Sequence, residues 1–216
     1  MAEDPAESAE AIVHNYCVAA QNQSNSSRAT TMKVDIQGAL PKLAKTGTLH
    51  ALRRISQLGR ITYDVLGFEG DGTVKRDLIA RYMAAEMNVP QERRAAMAVT
   101  PDNYRFHLKG RSELDGRSVY WFQVTPKHKA AGLFKGDLWI DAGTYLKVQE
   151  SGYLVKSPSL FLKRVAFTRK YEIRDGHAVP LRMESVVDTR LVGRAELTVD
   201  YSNYAVEETD IVEEAR

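Results

Sequence analysis

Val165-Ala166-Phe167-Thr168-Arg169-Lys170-Tyr171-Glu172-Ile173-Arg174-Asp175-Gly176 is the stretch that decides the fold class. Val165, Phe167, Arg169, Tyr171 and Ile173 fall on one face of a strand, and the Asp-Gly pair after them is a strong hairpin signal. The same pattern recurs on both sides. Tyr104-Phe106-Leu108, Tyr120-Phe122-Val124, Leu138-Ile140 and Ala195-Leu197-Val199-Tyr201 alternate in the same way. Asp115-Gly116 is a second strong turn, and Asp141-Ala142-Gly143 and Val192-Gly193 are good secondary ones. Residues 103–206 therefore read as an antiparallel meander.

Upstream, Thr30, Met32, Val34 and Ile36 alternate with polar partners, and two further strand-like runs follow at roughly 47–56 and 60–66. Residues 30–66 are thus the first strands. Phe68-Glu69-Gly70-Asp71-Gly72 reads as a turn that caps a helix. Val74, Leu78, Ile79, Tyr82 and Met83 then recur at helical spacing, giving inserted helices over 73–98. Before the strands, Asp4 is the predicted cap and Pro5 the first position of a helix over 4–20. Its apolar stripe is Ile12, Val13, Tyr16, Cys17 and Ala20, and the polar run from Gln21 to Ser27 ends it. The expected fold is α+β: a single domain, 1–216, with about ten or eleven strands in one large antiparallel sheet. A sheet of that size curls, and about three helices are available to cover its concave face. An acidic tail, 207–216, closes the chain.

The composition excludes several classes. The 216 residues are 44% hydrophobic and 27% charged, as in an ordinary globular protein. No apolar run reaches the roughly 18 residues of a spanning helix. One cysteine, Cys17, excludes an intrachain disulfide and a cysteine-cluster zinc site. The net charge of +2 conceals an asymmetry: residues 11–206 hold 29 bases and 19 acids, a net of +10, between two acidic ends. A body so basic is drawn to anionic lipid, acidic protein or nucleic acid, or simply has a well-solvated surface.

Chemical motifs are sparse. Gly110-Arg111-Ser112-Glu113-Leu114 starts like a nucleophile elbow and fails at its last position. The five histidines lack metal-ligand spacing, and Lys75 stands where a dinucleotide-binding loop needs its third glycine. Neither an enzyme nor a cofactor or metal site is expected. The segment Pro126 to Lys135 combines Lys127, Lys129 and Lys135 with Leu133 and Phe134. It reads either as a long hairpin loop folded back on the sheet or as a surface for an anionic membrane or a partner. The paired aromatic pattern of RNA-binding sheets is absent, so no nucleic acid is expected.

The order helix, three strands, helices and long meander resembles the LolA/LolB-like periplasmic lipoprotein carriers, the outer-membrane lipoprotein-sorting superfamily. The likeness is carried by Tyr120-Trp121-Phe122-Gln123-Val124-Thr125-Pro126, Gly136-Asp137-Leu138-Trp139-Ile140-Asp141, Thr144-Tyr145-Leu146-Lys147-Val148, Phe167-Thr168-Arg169-Lys170-Tyr171 and Gly176-His177-Ala178-Val179-Pro180. It extends over about residues 9–206. The family's carriers place an arginine followed by proline in an early strand, and that arginine helps to hold the lid. Here the region reads Arg53-Arg54-Ile55-Ser56-Gln57-Leu58-Gly59-Arg60, without Arg-Pro, so Arg53, Arg54 and Arg60 are equal candidates.

The resemblance implies a half-open β-barrel that binds the acyl chain of a lipoprotein or lipid in an apolar groove without catalysis. It implies a periplasmic location with the signal peptide already removed, and exchange with an inner-membrane transporter or an outer-membrane acceptor. The alternative is a sensor or protein-binding module of the same fold that meets a lipoprotein or partner through its basic surface. Expected groove residues are Met32, Val34, Ile36, Tyr63, Val65, Phe106, Leu108, Trp121, Leu138 and Ile140. Expected lid residues are Leu78, Ile79, Tyr82 and Met83. Alternation leaves open which face of each strand is concave.

Overall fold

The computed structural model describes residues 7–25, 29–157, 162–189 and 193–206. Ten strands form one sheet: β1 (Thr30–Leu40), β2 (Lys45–Ile55), β3 (Ile61–Gly70), β4 (Tyr104–Leu114), β5 (Arg117–Pro126), β6 (Phe134–Asp141), β7 (Lys147–Leu154), β8 (Leu162–Arg174), β9 (His177–Thr189) and β10 (Arg194–Val206). Their order is β3-β2-β1-β10-β9-β8-β7-β6-β5-β4. Every neighbouring pair is antiparallel, and β10 returns to pair with β1, which joins the meander to the first three strands. The expected α+β fold, a curled antiparallel sheet with helices on one face, is what forms.

Topology then places the inserted helices. β3 and β4 are consecutive in the chain yet lie at opposite edges of the sheet. Their connection must cross a face, and it does so as helix. α2 (Gly72–Val74), a π-helical turn (Lys75–Ile79) and α3 (Ala80–Met87) run on as one rod, followed by α4 (Gln91–Met97). Asp71 starts the rod by accepting the Thr73 amide at 2.7 Å. The π turn lets Val74 and Ile79, five residues apart, both point into the core with no exposure. Gly38 of β1 makes their close approach possible, because a Cβ there would sit 2.7 Å from Val74 Cγ1.

α1 (Ala9–Asn25) covers the other half of the same face. It starts later than its sequence suggests: Ser8 Oγ accepts the Ala11 amide, and Asp4 lies outside the described residues. It also continues through Gln21–Asn25, which composition marks as a stop. Tertiary contact explains this, since the Gln23 amide accepts from the Ala178 N–H at 3.1 Å and donates to the Ala178 carbonyl at 3.2 Å. Among the described residues no helix is long and apolar enough to cross a membrane. Asp115-Gly116 and Asp175-Gly176 adopt positive φ at both positions, the geometry a two-residue hairpin requires.

Candidate functional site

Strand register shows what the helix-covered inner face presents. One row crosses all ten strands, from Phe68 through Leu49, Ile36, Val199, Met183, Arg169, Glu150, Leu138 and Phe122 to Leu108. It is apolar except at its centre, where Glu150 of β7 stands opposite Arg169 of β8. The inner face is therefore two apolar clusters separated by a polar seam.

The first cluster holds Met32, Val34 and Ile36 with Val74, Ile79 and Met83 of the helical rod, and Tyr63, Leu78 and Tyr82 pack against it. The second holds Leu138 and Ile140 with Ile12, Val13 and Tyr16 of α1, and Phe106 and Leu108 pack against it. All four expected lid residues thus reach the inner face. Most expected groove residues do too, but they divide between two clusters. Trp121 is a correction. Its neighbour Phe122 is inward and fully buried, so Trp121 faces outward, stacked on Trp139 at 6.3 Å and donating to Asp137 at 2.8 Å. Val65 stands half exposed on the β3 edge. The surface role expected for Leu133 and Phe134 is also corrected. Both are buried in the second cluster, because the amide of Phe134 donates to the Tyr104 hydroxyl and its ring meets Phe167 edge-on. Lys127, Lys129 and Lys135 are exposed.

At the first cluster's end of the seam, Arg53 alone of the three candidate arginines turns inward. Its Nε donates to Glu86 Oε2 of α3 at 3.1 Å, and its Nη2 donates to Oε1 at 3.4 Å. The Tyr63 hydroxyl also donates to Glu86. Arg54 instead pairs with Asp64 on the exposed side, and Arg60 is exposed. Burial opposes the Arg53 charge, but Glu86 beside it outweighs burial and keeps the guanidinium firmly protonated. Among the described residues Arg53 Nη1 is buried with no hydrogen-bond partner. Next to it the Tyr82 and Tyr201 hydroxyls meet at 3.2 Å.

At the seam's centre Glu150 is almost fully buried and both of its oxygens are engaged. Lys147 Nζ donates to Oε1 at 3.0 Å, and the Tyr171 hydroxyl donates to Oε2 at 3.0 Å. Burial opposes the carboxylate charge, yet Lys147 and Arg169 override it and hold the carboxyl below its usual range. Lys147, opposed by burial and favoured by Glu150, is held above its usual range. A β-bulge brings Lys147 onto this face, where Ile140 pairs with Lys147 after a register shift at Trp139/Ile140. Arg169 stands at the boundary of the two clusters, with 46% of its side chain meeting solvent.

Glu86, Lys147, Glu150 and Arg169 were not singled out from sequence, although a signal was present. Glu150 and Arg169 occupy apolar-parity positions in the series Val148-Glu150-Gly152-Leu154 and Phe167-Arg169-Tyr171. A charge on the core face of a strand is the informative observation.

No family model and no curated protein matches this sequence. Among solved structures, the chain is similar to a DUF1329 family protein from Desulfovibrio piger, with a TM-score of 0.48, 15% identity, and 91% of this chain and 93% of that one covered. It is similar to a LolA superfamily protein from Nitrosomonas europaea, with a TM-score of 0.43, 14% identity, and 94% and 96% covered. It is also similar, with a TM-score of 0.43, 11% identity, and 91% and 93% covered, to a domain from Vibrio parahaemolyticus described as an outer membrane lipoprotein-sorting protein domain.

Proposed function

We propose that the protein is a non-catalytic carrier in the periplasm that binds the acyl chain of a lipid or lipoprotein beneath the helical rod 72–87, and that the structure is its closed state. One observation carries the reading: the rod covers half of an apolar inner face and is latched near its end by the Arg53–Glu86 pair. Val74, Ile79 and Met83 lie where a ligand chain would lie. Burying each is worth about 1.5–3 kcal/mol, so displacing the rod loses about 5–9 kcal/mol. Breaking the latch adds roughly 3 kcal/mol, because Arg53 is left buried without its anion. A sixteen-carbon chain regains on the order of 12 kcal/mol at about 0.8 per methylene. Such near balance suits a protein that must both load and release its cargo, taking it from an inner-membrane transporter and passing it to an outer-membrane acceptor. Lys127, Lys129 and Lys135 supply an exposed basic surface for an anionic membrane during the exchange.

Native mass spectrometry after gentle purification from the envelope, with lipid analysis of the extract, tests the reading. A stoichiometric acyl-bearing adduct is expected. Met83→Asp places a charge in the groove and should weaken binding of a fluorescent acyl probe at least tenfold with the far-UV spectrum preserved. An apo mass together with no probe binding by the wild type rejects a carrier role.

The β3 edge favours a protein partner as the second reading. Val65 and Leu66 are 53% and 64% exposed on a strand that, among the described residues, pairs on one side only. Such an edge accepts an added extended segment.

A further inference from the structure

Arg169 is the anomaly of the inner face. It sits midway along a row that is otherwise apolar apart from Glu150. Its distance to Glu150 Oε2 is 3.7 Å, beyond hydrogen-bond range, and that oxygen already accepts from Tyr171. Among the described residues the guanidinium makes no hydrogen bond: it faces Glu150 at ion-pair distance only, and its N–H donors are otherwise open to solvent. The group is nevertheless placed: its Cζ lies over the Phe167 ring, 4.6 Å from the centroid. Glu150 is neutralised by Lys147, so the Arg169 charge is left over at the boundary of the two clusters. A cation in that position, with apolar surface on either side, matches an amphipath that carries one negative charge.

We propose that Arg169 is the recognition site for the carboxylate of a long-chain fatty acid, or of an acyl ligand ending in a carboxylate, whose chain lies beneath the helical rod. The proposal rests on the acyl-binding reading above and names its ligand class. A carboxylate is favoured over a phosphate by geometry and by charge. The planar fork takes two carboxylate oxygens in parallel. Glu150 and Glu86 leave Arg53, Lys147 and Arg169 a net charge of +1, enough for a monoanion, and Glu150 would repel a dianion. Arg53, whose Nη1 is buried without a hydrogen-bond partner among the described residues, lies 6.0 Å from the Tyr201 ring and adds to the positive charge of the seam.

The test uses the full chain and measures fluorescence titration of cis-parinaric acid and of its uncharged methyl ester at neutral pH. Wild type is expected to favour the acid about tenfold, and Arg169→Met to bring the ratio to about one. Arg169→Lys keeps the charge but loses the fork and is expected to fall between them; it also serves if the methionine variant fails to fold, as circular dichroism would show. A ratio of about one in the wild type overturns the inference while leaving acyl binding standing. Binding of neither ligand overturns both. A lysophosphatidate that competes at least tenfold better than the acid, with the advantage lost in the Arg169 variants, overturns the carboxylate in favour of a phosphate head.

Discussion

Glu150 has the most confined surroundings of any acid described, and its chemistry sets a measurable pH dependence. Its folded pKa lies below the unfolded value of about 4.5, so its contribution is complete above that value and is lost as pH falls through the folded one. Lys147 titrates in the opposite sense: raised above 10.5, it contributes below that value and loses its contribution only as pH climbs past it. The pair is therefore intact between about pH 5 and 10. Glu150→Gln should cost about 2 kcal/mol in urea unfolding at pH 7 and flatten the acid side of the stability profile. That figure is below the 3–5 kcal/mol of a fully enclosed pair because Lys147 and Arg169 both touch solvent. An unchanged acid limb in the variant would show that Glu150 titrates normally.

At the scale of elements, the helical rod is tied at both ends by charge and in the middle by close packing. Asp71 accepts the Thr73 amide and pairs with Lys45 at 3.3 Å at the start, and Glu86 meets Arg53 and Tyr63 at the end. Glu86→Gln removes the anion from a buried arginine, so amide exchange over 72–87 should quicken at least tenfold while α1 is unaffected. Uniform exchange across both helices would mean that the rod has no independent opening. Gly38→Ala tests the middle. The added methyl meets Val74 and Leu78 at 2.7 and 3.0 Å, so it must lift the rod, with a loss of about 1–3 kcal/mol in thermal or urea unfolding. Helices with a clear apolar stripe are legible in sequence, and both appear. Their ends are less so: α1 runs five residues past its expected stop because Gln23 finds a backbone partner 155 residues away. The π turn left no readable mark, since Val74 and Ile79 pattern as an ordinary helix until Gly38 demands a closer fit.

For the whole molecule, alternation and Asp-Gly turns determine that this chain makes a long antiparallel sheet with helices left over to cover it. Period two and two-residue loops leave few other solutions. The inserted helices lie between strands three and four in sequence, so a helical cover of that origin was also foreseeable. What strand alternation cannot carry is the sign of each face: Trp121 and Phe122 look equally eligible for the groove until pairing with β6 sets which of them turns inward. Arg53, Arg54 and Arg60 were equivalent for the same reason, and only Arg53 has the parity that reaches Glu86. The Leu133-Phe134 pair read either as a surface or as a loop folded back on the sheet, and only packing into the second cluster decided for the latter, because loop composition says nothing of what the loop folds against. The polar seam depends still more on tertiary structure. Glu150 and Arg169 are nineteen residues apart in sequence and become opposite one another through the register of β7 on β8. Lys147 joins them through a bulge, and Arg53 with Glu86 extends the line from another part of the chain. The sequence by itself determined the elements and their periods, which are local properties of the chain. The tertiary structure alone decided which charges meet, because register, bulges and the crossing of the inserted helices bring together residues that no local pattern relates.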